Sequence, residues 1–358
     1  MPHKASVIHL LQRLISIPSF SREEAGTAAL LLHWLQSESV KADRSGNNII
    51  AKNQHYNKQK PTLLLNSHHD TVKAASGYTR DPFKADIEDG KLYGLGSNDA
   101  GGSAVALIAA FLHFYPQKDL PYNIVLAITA EEEISGSNGI SAVLPSLGKI
   151  DCAIVGEPTQ MQMAVAERGL LVIDGIVNGR AGHAARNEGE NALYKAMNDI
   201  QWFQQYQFEK ISEWLGPVSM NVTVIETPNK THNVVPDTCR YVVDIRINEH
   251  YSHEDVLETI RTNVGGDIQA RSVRLRSSII PAEHPLVMAG TKIGLKSYGS
   301  PTLSDKSLMP FPALKIGPGD SARSHIADEF IYVSEIEEGI NIYIKLLTTF
   351  FDEFNHEK

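Results

Sequence analysis

Apolar runs that end abruptly in charged residues are the main pattern of this 358-residue chain. The clearest is the leucine run 63–65, which leads into His68, His69 and Asp70. Four further runs lead in the same way to Asp99, Glu133, Glu157 and His325. Apolar runs of this length, separated by helical patterns, predict strands of a parallel or mixed sheet that is buried on both faces. Because such sheets bind ligands beyond the carboxyl ends of their strands, we expect the five ends to meet in one cleft.

Helical periodicity explains the segments around these runs. Apolar residues at helical spacing predict a first helix over 7–15 and a last helix over 336–347. Ser21 and Glu24 have the spacing of a capping box, which predicts a helix that extends to Leu35. We expect these helices to cover the sheet and to carry no chemistry.

Between 167 and 277 the pattern changes to the order β–α–β–β–α–β. The predicted strands cover 170–177, 222–225, 242–247 and 270–275, and the predicted helices cover 191–208 and 254–264. This order predicts a ferredoxin-like α+β sandwich. Since Glu157 precedes the block and His325 follows it, we predict a discontinuous α/β domain of residues 1–166 and 278–358, into which 167–277 is inserted. Its sheet is expected to be mixed, mainly parallel and flanked by helices.

Composition narrows the classes of partner. The net charge of −9 and the absence of a basic stretch argue against nucleic acid. No apolar segment approaches the roughly 20 residues that span a bilayer, and the first 15 residues lack a signal-peptide pattern. Cys152 and Cys239 lie in strand-like runs and are expected to be reduced core thiols. We therefore predict a cytoplasmic enzyme that acts on a small molecule.

The polar residues at the strand ends suit a catalytic metal site. Histidine and carboxylates without cysteine favour Zn²⁺, Co²⁺ or Mn²⁺ over a structural zinc. Five candidate ligands exceed the needs of one ion and fit two ions that share a carboxylate, about 3.5–4 Å apart. Of the adjacent Glu132 and Glu133, one can bind metal while the other takes a proton from water. Such a site hydrolyses amides or esters.

Five motifs together resemble the co-catalytic zinc family of amidohydrolases and exopeptidases. That family includes acetylornithine deacetylase, succinyl-diaminopimelate desuccinylase, aminoacylase and a glutamate-releasing carboxypeptidase. The resemblance covers nearly the whole chain, and its motifs contain, in order, His68-His69-Asp70, Gly94 to Asp99, Glu131-Glu132-Glu133, Gly156-Glu157-Pro158-Thr159, and Gly317-Pro318-Gly319-Asp320 with His325.

The resemblance implies a role for each metal-site residue. Asp99 would bridge the two ions, of which Zn²⁺ is the first choice and Co²⁺ the second. His68 and Glu157 would complete the ligands of one ion, and Glu133 and His325 those of the other.

Two further roles in the site follow from the resemblance. Glu132 would be the general base, and Asp70 would orient His68. A frame shifted by one residue, with Glu131 as base and Glu132 as ligand, is the alternative. The preceding Thr129-Ala130-Glu131 favours the first frame, because the family has Thr-Ala-Asp before its two glutamates.

The inserted block carries three further family positions. His183 resembles a histidine that reaches the neighbouring subunit's active site and stabilises the oxyanion. Asn233 and Arg246 resemble substrate contacts, and the Arg246 guanidinium suits a carboxylate. The resemblance also implies a homodimer through the inserted domain, which would close over the cleft as a lid.

Two departures from the family pattern mark a distinct branch. Asp99 is followed by Ala100 and Gly101, where the family often has a bulky residue and lysine, and Glu131 stands in place of aspartate. We predict deacetylation of N-acetyl-L-ornithine in arginine biosynthesis. The alternatives are N-succinylornithine, N-acetylcitrulline or succinyl-diaminopimelate as substrate, a di- or tripeptidase, and a metal-free binding protein.

Overall fold

A computed structural model describes residues 4–356 of the chain. Helices α1 to α8 span Lys4–Ile15, Ala25–Ser37, Gly102–Phe114, Ile140–Leu147, Ala192–Gln205, His253–Asn263, Pro285–Lys292 and Val333–His356. Strands β1 to β18 span Ala42–Ser45, Asn48–Lys52, Thr62–His68, Ile87–Glu88, Lys91–Tyr93, Asn123–Thr129, Cys152–Val155, Met163–Glu167, Gly169–Asn178, Gly182–His183, Ser219–Glu226, Val234–Val235, Thr238–Ile247, Asp267–Ala270, Ser278–Ile279, Ser297–Ser300, Ala313–Lys315 and Phe330–Tyr332. None of the described helices combines the length and the apolarity that crossing a membrane requires.

The chain divides into two compact units. The first comprises Met1–Val165, Ile280–Tyr298 and Ser304–Lys358, and the second comprises Ala166–Ile279 and Gly299–Leu303. The predicted functional domains, 1–166 with 278–358 and the inserted 167–277, stay a prediction. Their residues 1–3 and 357–358 lie outside the described part of the chain.

The main sheet of the first unit is mixed, with a parallel centre. Its strands follow the order β1-β2-β6-β3-β7-β17-β8. The four central strands β6, β3, β7 and β17 are parallel to one another, whereas the pairs toward both ends are antiparallel. These four strands are buried along their whole length, as their continuous apolar runs require. The predicted mainly parallel sheet is confirmed.

One expected strand end does not belong to this sheet. Strand β5, which precedes Asp99, lies in a separate three-stranded antiparallel sheet with the order β18-β5-β4. Unlike the four central strands of the main sheet, β5 has only one fully buried residue among its three, Leu92. The prediction of five ends in one sheet was wrong by one: four come from the main sheet and the fifth comes from its small neighbour.

The predicted capping box also does not form. Helix α2 begins at Ala25, and no side-chain hydrogen bond caps it. The Ser21 hydroxyl instead donates to Asp70 at 2.7 Å. The Glu24 carboxylate accepts from the Arg22 N–H at 2.6 Å and from the Asn47 side chain at 2.8 Å. Ser21 therefore binds a distant residue, and Glu24 binds both the nearby Arg22 N–H and the distant Asn47, so neither caps the helix.

The second unit contains a four-stranded antiparallel sheet with the order β11-β13-β9-β14, with α5 and α6 between its strands along the chain. This is the predicted β–α–β–β–α–β arrangement. Alternate residues of β9 and β13 are buried, including Ile173, Tyr241 and Val243. The last strand was misplaced: β14 covers Asp267–Ala270 rather than 270–275, because its pairing with β9 ends at Ala270.

Candidate functional site

Four parallel strands bring candidate ligands to one edge of the main sheet. His68 is the last residue of β3, and Glu132 and Glu133 follow β6 after the turn at Ala130. Glu157 comes two residues after β7, and His325 belongs to the longer segment after β17. The carboxyl ends of parallel strands share one edge, so the topology itself gathers these side chains.

A tight turn after β5 presents Asp99. The turn covers Ser97–Gly101 and follows Gly96, which has the left-handed φ of 75°. A Cβ on Gly101 would lie 2.4 Å from the Gly96 carbonyl oxygen, and one on Gly102 would lie 2.3 Å from the Ile331 side chain. The Gly101 contact is with a backbone atom that cannot move aside, so the lysine of the family pattern does not fit at this position.

Asp99 lies between two imidazoles. Its Oδ1 is 3.3 Å from the Nε2 of His68, and its Oδ2 is 3.5 Å from the Nε2 of His325. Glu157 Oε1 lies 3.7 Å from the same His68 nitrogen, and Glu133 Oε2 lies 2.9 Å from His325 Nε2. Asp99 thus uses one carboxylate oxygen to face the pair His68–Glu157 and the other to face the pair Glu133–His325.

Glu132 also faces this cluster. Its Oε2 lies 3.8 Å from the Nε2 of His68. His68, Asp99 and Glu133 form one compact group of donor atoms, and His68, Glu132 and Glu157 form a second, each with all atoms within 4.8 Å of one another. The two groups share His68, so the donors form one continuous site.

The carboxylate of Asp70 fixes the backbone of both glutamates. It accepts the N–H of Glu132 at 3.0 Å and that of Glu133 at 3.2 Å, as well as the Ser21 hydroxyl. The Nδ1–H of His68 donates to the backbone carbonyl of Asp70 at 3.0 Å, and the Asp70 carboxylate lies 3.4 Å from the same nitrogen. This arrangement leaves the Nε2 of His68 to face the cluster.

Glu131 points away from the cluster. Its backbone is left-handed, with a φ of 56°. Its carboxylate accepts from the N–H of Asn138 at 3.2 Å and from the Asn138 side chain at 2.8 Å. Of the three consecutive glutamates, only Glu132 and Glu133 reach the shared site, which favours the frame with Glu132 as base.

Burial and crowded charges shift the pKa values of the cluster. Burial lowers the pKa of His68, but the surrounding carboxylates, Glu132 first, outweigh burial and raise this pKa well above its usual value. The hydrogen bond to Glu133 raises the pKa of His325 to about 9. Burial raises the pKa of Glu132 well above its ordinary range. The pKa of Asp99 is lowered, because its interactions with the imidazoles outweigh its burial.

The donor set fits a pair of divalent cations. Four carboxylates and two imidazoles converge, and the side chains of Asp99, Glu132, Glu133 and Glu157 are only 6–14% exposed. Oxygen and imidazole nitrogen without thiolate is the ligand chemistry of catalytic zinc and its relatives. A dication would replace protons as the partner of these carboxylates.

The three candidates of the inserted block lie in the second unit. Strands β10 and β12 pair there, so that His183 lies opposite Val234 and the Ala184 N–H donates to the Asn233 carbonyl at 3.0 Å. His183 is exposed, with its Nδ1 accepting from the Ala185 N–H. The Arg246 guanidinium makes two hydrogen bonds to Asp244, at 2.7 and 2.9 Å. His183 and Asn233 are therefore neighbours, whereas Arg246 already holds a carboxylate of its own strand.

Sequence reasoning missed two buried carboxylates beside the site. Asp305 accepts from the Thr129 hydroxyl at 2.9 Å, burial raises its pKa to about 6, and its charge adds to the raised pKa of Glu132. Glu329 accepts backbone N–H groups of the turn that presents Asp99. Nothing in the local sequence marks Asp305. Glu329 did carry a signal in the sequence, because it is an acidic residue at one end of an apolar run. It precedes its run, whereas the candidate ligands follow theirs.

The profile of Peptidase family M20/M25/M40 matches residues 64–349. The chain belongs to this family. The resemblance read from the five motifs is confirmed, and so is the prediction of a metal-dependent amidohydrolase that acts on linear amides.

Curated relatives and solved structures match the M20-family chain over most of its length. Succinyl-diaminopimelate desuccinylase 2 of Ruegeria sp. (strain TM1040) is 30% identical over 274 residues, 72% of this chain and 69% of that protein. Succinyl-diaminopimelate desuccinylase of Cereibacter sphaeroides (strain ATCC 17025) is 26% identical over 377 residues, 96% and 98% of the two chains. Aminopeptidase PepT of Bacillus cereus superposes with a TM-score of 0.77 at 18% identity, over 97% of this chain and 98% of that chain. The YXEP protein of Bacillus subtilis, a dinuclear metal-binding peptidase, gives 0.72 at 14%, over 98% of each.

Metal binding by this M20-family chain is expected to release protons. The pKa of His325 is raised to about 9, so its ring is protonated near pH 7, and the pKa of His68 is raised as well. A metal ion needs the neutral ring, so the number of protons released per chain at saturation should include the one on His325, and affinity should rise with pH until about 9. Calorimetric titration with Zn²⁺ in buffers of different ionisation enthalpy measures this number. His325→Gln should release one proton fewer, and release of none by the unaltered chain would contradict the cluster described above.

Proposed function

We propose that this chain hydrolyses the amide bond of an N-acyl amino acid with two divalent metal ions. One observation supports this most directly: Asp99 presents its two carboxylate oxygens to the separate pairs His68–Glu157 and Glu133–His325. A carboxylate in that position suits a bridge between two ions, and two ions suit hydrolysis of an unactivated amide.

The proposed ligands divide between the two ions as the motifs suggest. His68 and Glu157 would hold one ion, Glu133 and His325 the other, and Asp99 both. Zn²⁺ is the first candidate and Co²⁺ the second, because the donors are imidazole and carboxylate. When bound, the pair supplies Lewis acidity that polarises the scissile carbonyl and acidifies water.

Glu132 is proposed as the general base. Its carboxylate faces the cluster, and its raised pKa suits a group that takes a proton from the attacking water and returns it to the departing amine. The hydrogen bond from the Glu132 N–H to Asp70 fixes the backbone that carries the Glu132 side chain. His183 is proposed to stabilise the oxyanion, and Asn233 and Arg246 to contact the substrate.

For the acyl group, we propose succinyl, with succinyl-diaminopimelate as the first substrate to test. The support is the name shared by relatives that align over most of this chain. N-acetylornithine, which the sequence pattern had favoured, takes second place because the relatives described above are named for removal of a succinyl group. The corresponding role is in lysine rather than arginine biosynthesis, and residence in the cytoplasm stays a prediction from sequence.

A panel of amides tests the substrate class. We expect chelator-sensitive release of a free amine from succinyl-diaminopimelate by the zinc- or cobalt-loaded enzyme. N-succinylornithine, N-acetylornithine, N-acetylcitrulline and several dipeptides complete the panel, and amine release is measured by derivatisation. If activity were confined to an acetylated amino acid, the acyl group would be acetyl rather than succinyl. If activity were confined to dipeptides, the chain would be a peptidase. No release by protein with both metals bound would refute the deacylase proposal.

Glu132→Gln tests the proposed base. Glutamine has the same shape but takes no proton, so kcat should fall by about 10²–10⁴-fold or more. Metal content should stay the same, because Glu132 is not a proposed ligand. Glu131→Gln is the matched control, since that carboxylate faces Asn138 and the variant should retain most of its kcat. If only the Glu131 variant lost turnover, Glu131 would be the base and Glu132 a metal ligand, as in the alternative frame.

We also propose that the chain forms a homodimer through the second unit. Strand β11 is an edge strand of the four-stranded sheet, and its Val224 and Ile225 are 46% and 49% exposed. Helix α5, which packs against β11, exposes Tyr194 and Met197 at 70% and 58%. An unpaired strand edge beside exposed apolar side chains is a surface that a second copy can cover.

Charges on the β11 edge should separate the proposed dimer. Light scattering coupled to gel filtration should give about twice the chain mass of 39.4 kDa for the unaltered protein. Val224→Lys with Ile225→Lys should give one chain mass, because two cations would be buried against a second strand. Met288→Lys, at an exposed apolar residue of the first unit, is the control and should leave the mass unchanged. A monomeric unaltered protein would refute the proposal.

A further inference from the structure

Glu329 is a buried residue whose carboxyl group accepts hydrogen bonds from the turn at Ser97–Gly101 and from Gly96, which precedes that turn. It directly precedes β18 and is 2% exposed. Its Oε2 accepts the N–H of Gly96 at 2.9 Å. Its Oε1 accepts the N–H of Asn98 at 2.8 Å and that of Asp99 at 2.9 Å. Three backbone N–H groups therefore share this one carboxyl group, which holds the backbone segment in place.

The turn held in this way is the one that presents Asp99. The Gly94 N–H adds a fourth bond, to the backbone carbonyl of Glu329 at 3.0 Å. The N–H groups at the start of a helical turn have no partner within the turn, and the Glu329 carboxylate supplies one. Because the Asp99 N–H itself donates, the position of this residue depends directly on Glu329.

The other end of the same chain segment also binds the turn. The Asn98 side chain donates to the Asp320 carbonyl at 3.0 Å, and its oxygen accepts the Asp320 N–H at 3.0 Å. Its amide also lies 3.3 Å from the Ser324 hydroxyl oxygen. Segment 320–329 therefore contacts the turn at both ends, with His325 between these contacts. The turn that carries Asp99 is thus bonded to both ends of the segment that carries His325.

We infer that Glu329 is a positioning residue that holds Asp99 where its two oxygens face separate metal ions. The inference rests on the metal pair of the proposed function but not on the identity of the substrate. A purely structural role makes a different prediction: loss of Glu329 would then lower stability and leave the metal site unchanged.

Glu329→Gln tests the inference, with Asp328→Asn as the matched control. Glutamine keeps the size of the side chain, but its NH₂ group is a donor and cannot accept a hydrogen bond from a backbone N–H that it faces. Asp328 belongs to the same segment and also accepts three hydrogen bonds, from the Thr79 N–H at 2.9 Å, the Thr79 hydroxyl at 2.5 Å and the Arg80 N–H at 3.0 Å. None of these partners belongs to the turn that presents Asp99.

Metal affinity and the cobalt spectrum are the measurements. Full-length metal-free protein is titrated with Zn²⁺ against a chromophoric chelator, and the visible spectrum of the Co²⁺ form is recorded. Thermal unfolding of the metal-free proteins gives stability separately. We expect Glu329→Gln to weaken metal binding by about 10–100-fold and to alter the Co²⁺ spectrum. Asp328→Asn should match the unaltered protein in both.

Unchanged metal affinity and an unchanged Co²⁺ spectrum in Glu329→Gln would overturn the inference, whatever happens to stability. An equal loss of metal affinity in Asp328→Asn would also overturn it. If Glu329→Gln does not fold, Glu329→Asp replaces it, because its shorter carboxylate cannot reach all three N–H groups. Failure of the proposed function looks different: the unaltered protein would bind metal and hydrolyse no amide, while the difference between the two variants would persist.

Discussion

Crowding of negative charge at one sheet edge is the constraint on which the rest of the structure depends. Four carboxylates, those of Asp99, Glu132, Glu133 and Glu157, lie around two imidazoles with little exposure to solvent. Removing carboxylates from water is costly unless positive charge or hydrogen bonds compensate. The two imidazoles face these carboxylates, and a pair of dications would supply the compensating charge. Burial raises the pKa of Glu132, and the neighbouring carboxylates raise it further, which suits a group that accepts a proton.

Buried carboxylates hold the loops that carry the site. Asp70 accepts the N–H groups of Glu132 and Glu133, and Glu329 accepts those of Gly96, Asn98 and Asp99. Glu24 accepts the Glu131 N–H at 3.3 Å. Each carboxylate thus fixes a backbone segment that follows a strand, in a way that loop sequence alone does not provide. A site whose supporting groups are themselves held can keep its ligands in place before metal arrives.

The strand ends could be predicted from sequence because burial on both faces leaves a continuous apolar run and a sharp polar end. His68, Glu133 and Glu157 follow such runs, so the topology of parallel strands sufficed to bring them together. Asp99 also follows a predicted strand, but that strand belongs to a different sheet, which its apolar pattern did not reveal. For the glutamates, the motif favoured the frame with Glu132 as base, and the outward turn of Glu131, which depends on its left-handed backbone and on Asn138, supports that frame.

Contacts between distant segments could not be predicted from local pattern. Ser21 and Glu24 have capping-box spacing, yet their partners are Asp70 and Asn47, which are brought near by the fold. Local spacing shows only which hydrogen bonds a short segment can form by itself. Residues from distant segments compete for the same groups. Asp305 shows the same limit, since only its hydrogen bond to Thr129 reveals that it lies beside the site.

Anomalous diffraction from crystals of the zinc-loaded protein would show whether Asp99 bridges two metal ions. We expect two zinc peaks, about 3.5–4 Å apart, with one carboxylate oxygen of Asp99 on each. His68 and Glu157 should contact one peak, and Glu133 and His325 the other. A single peak, or two peaks that do not share Asp99, would refute the proposed metal pair.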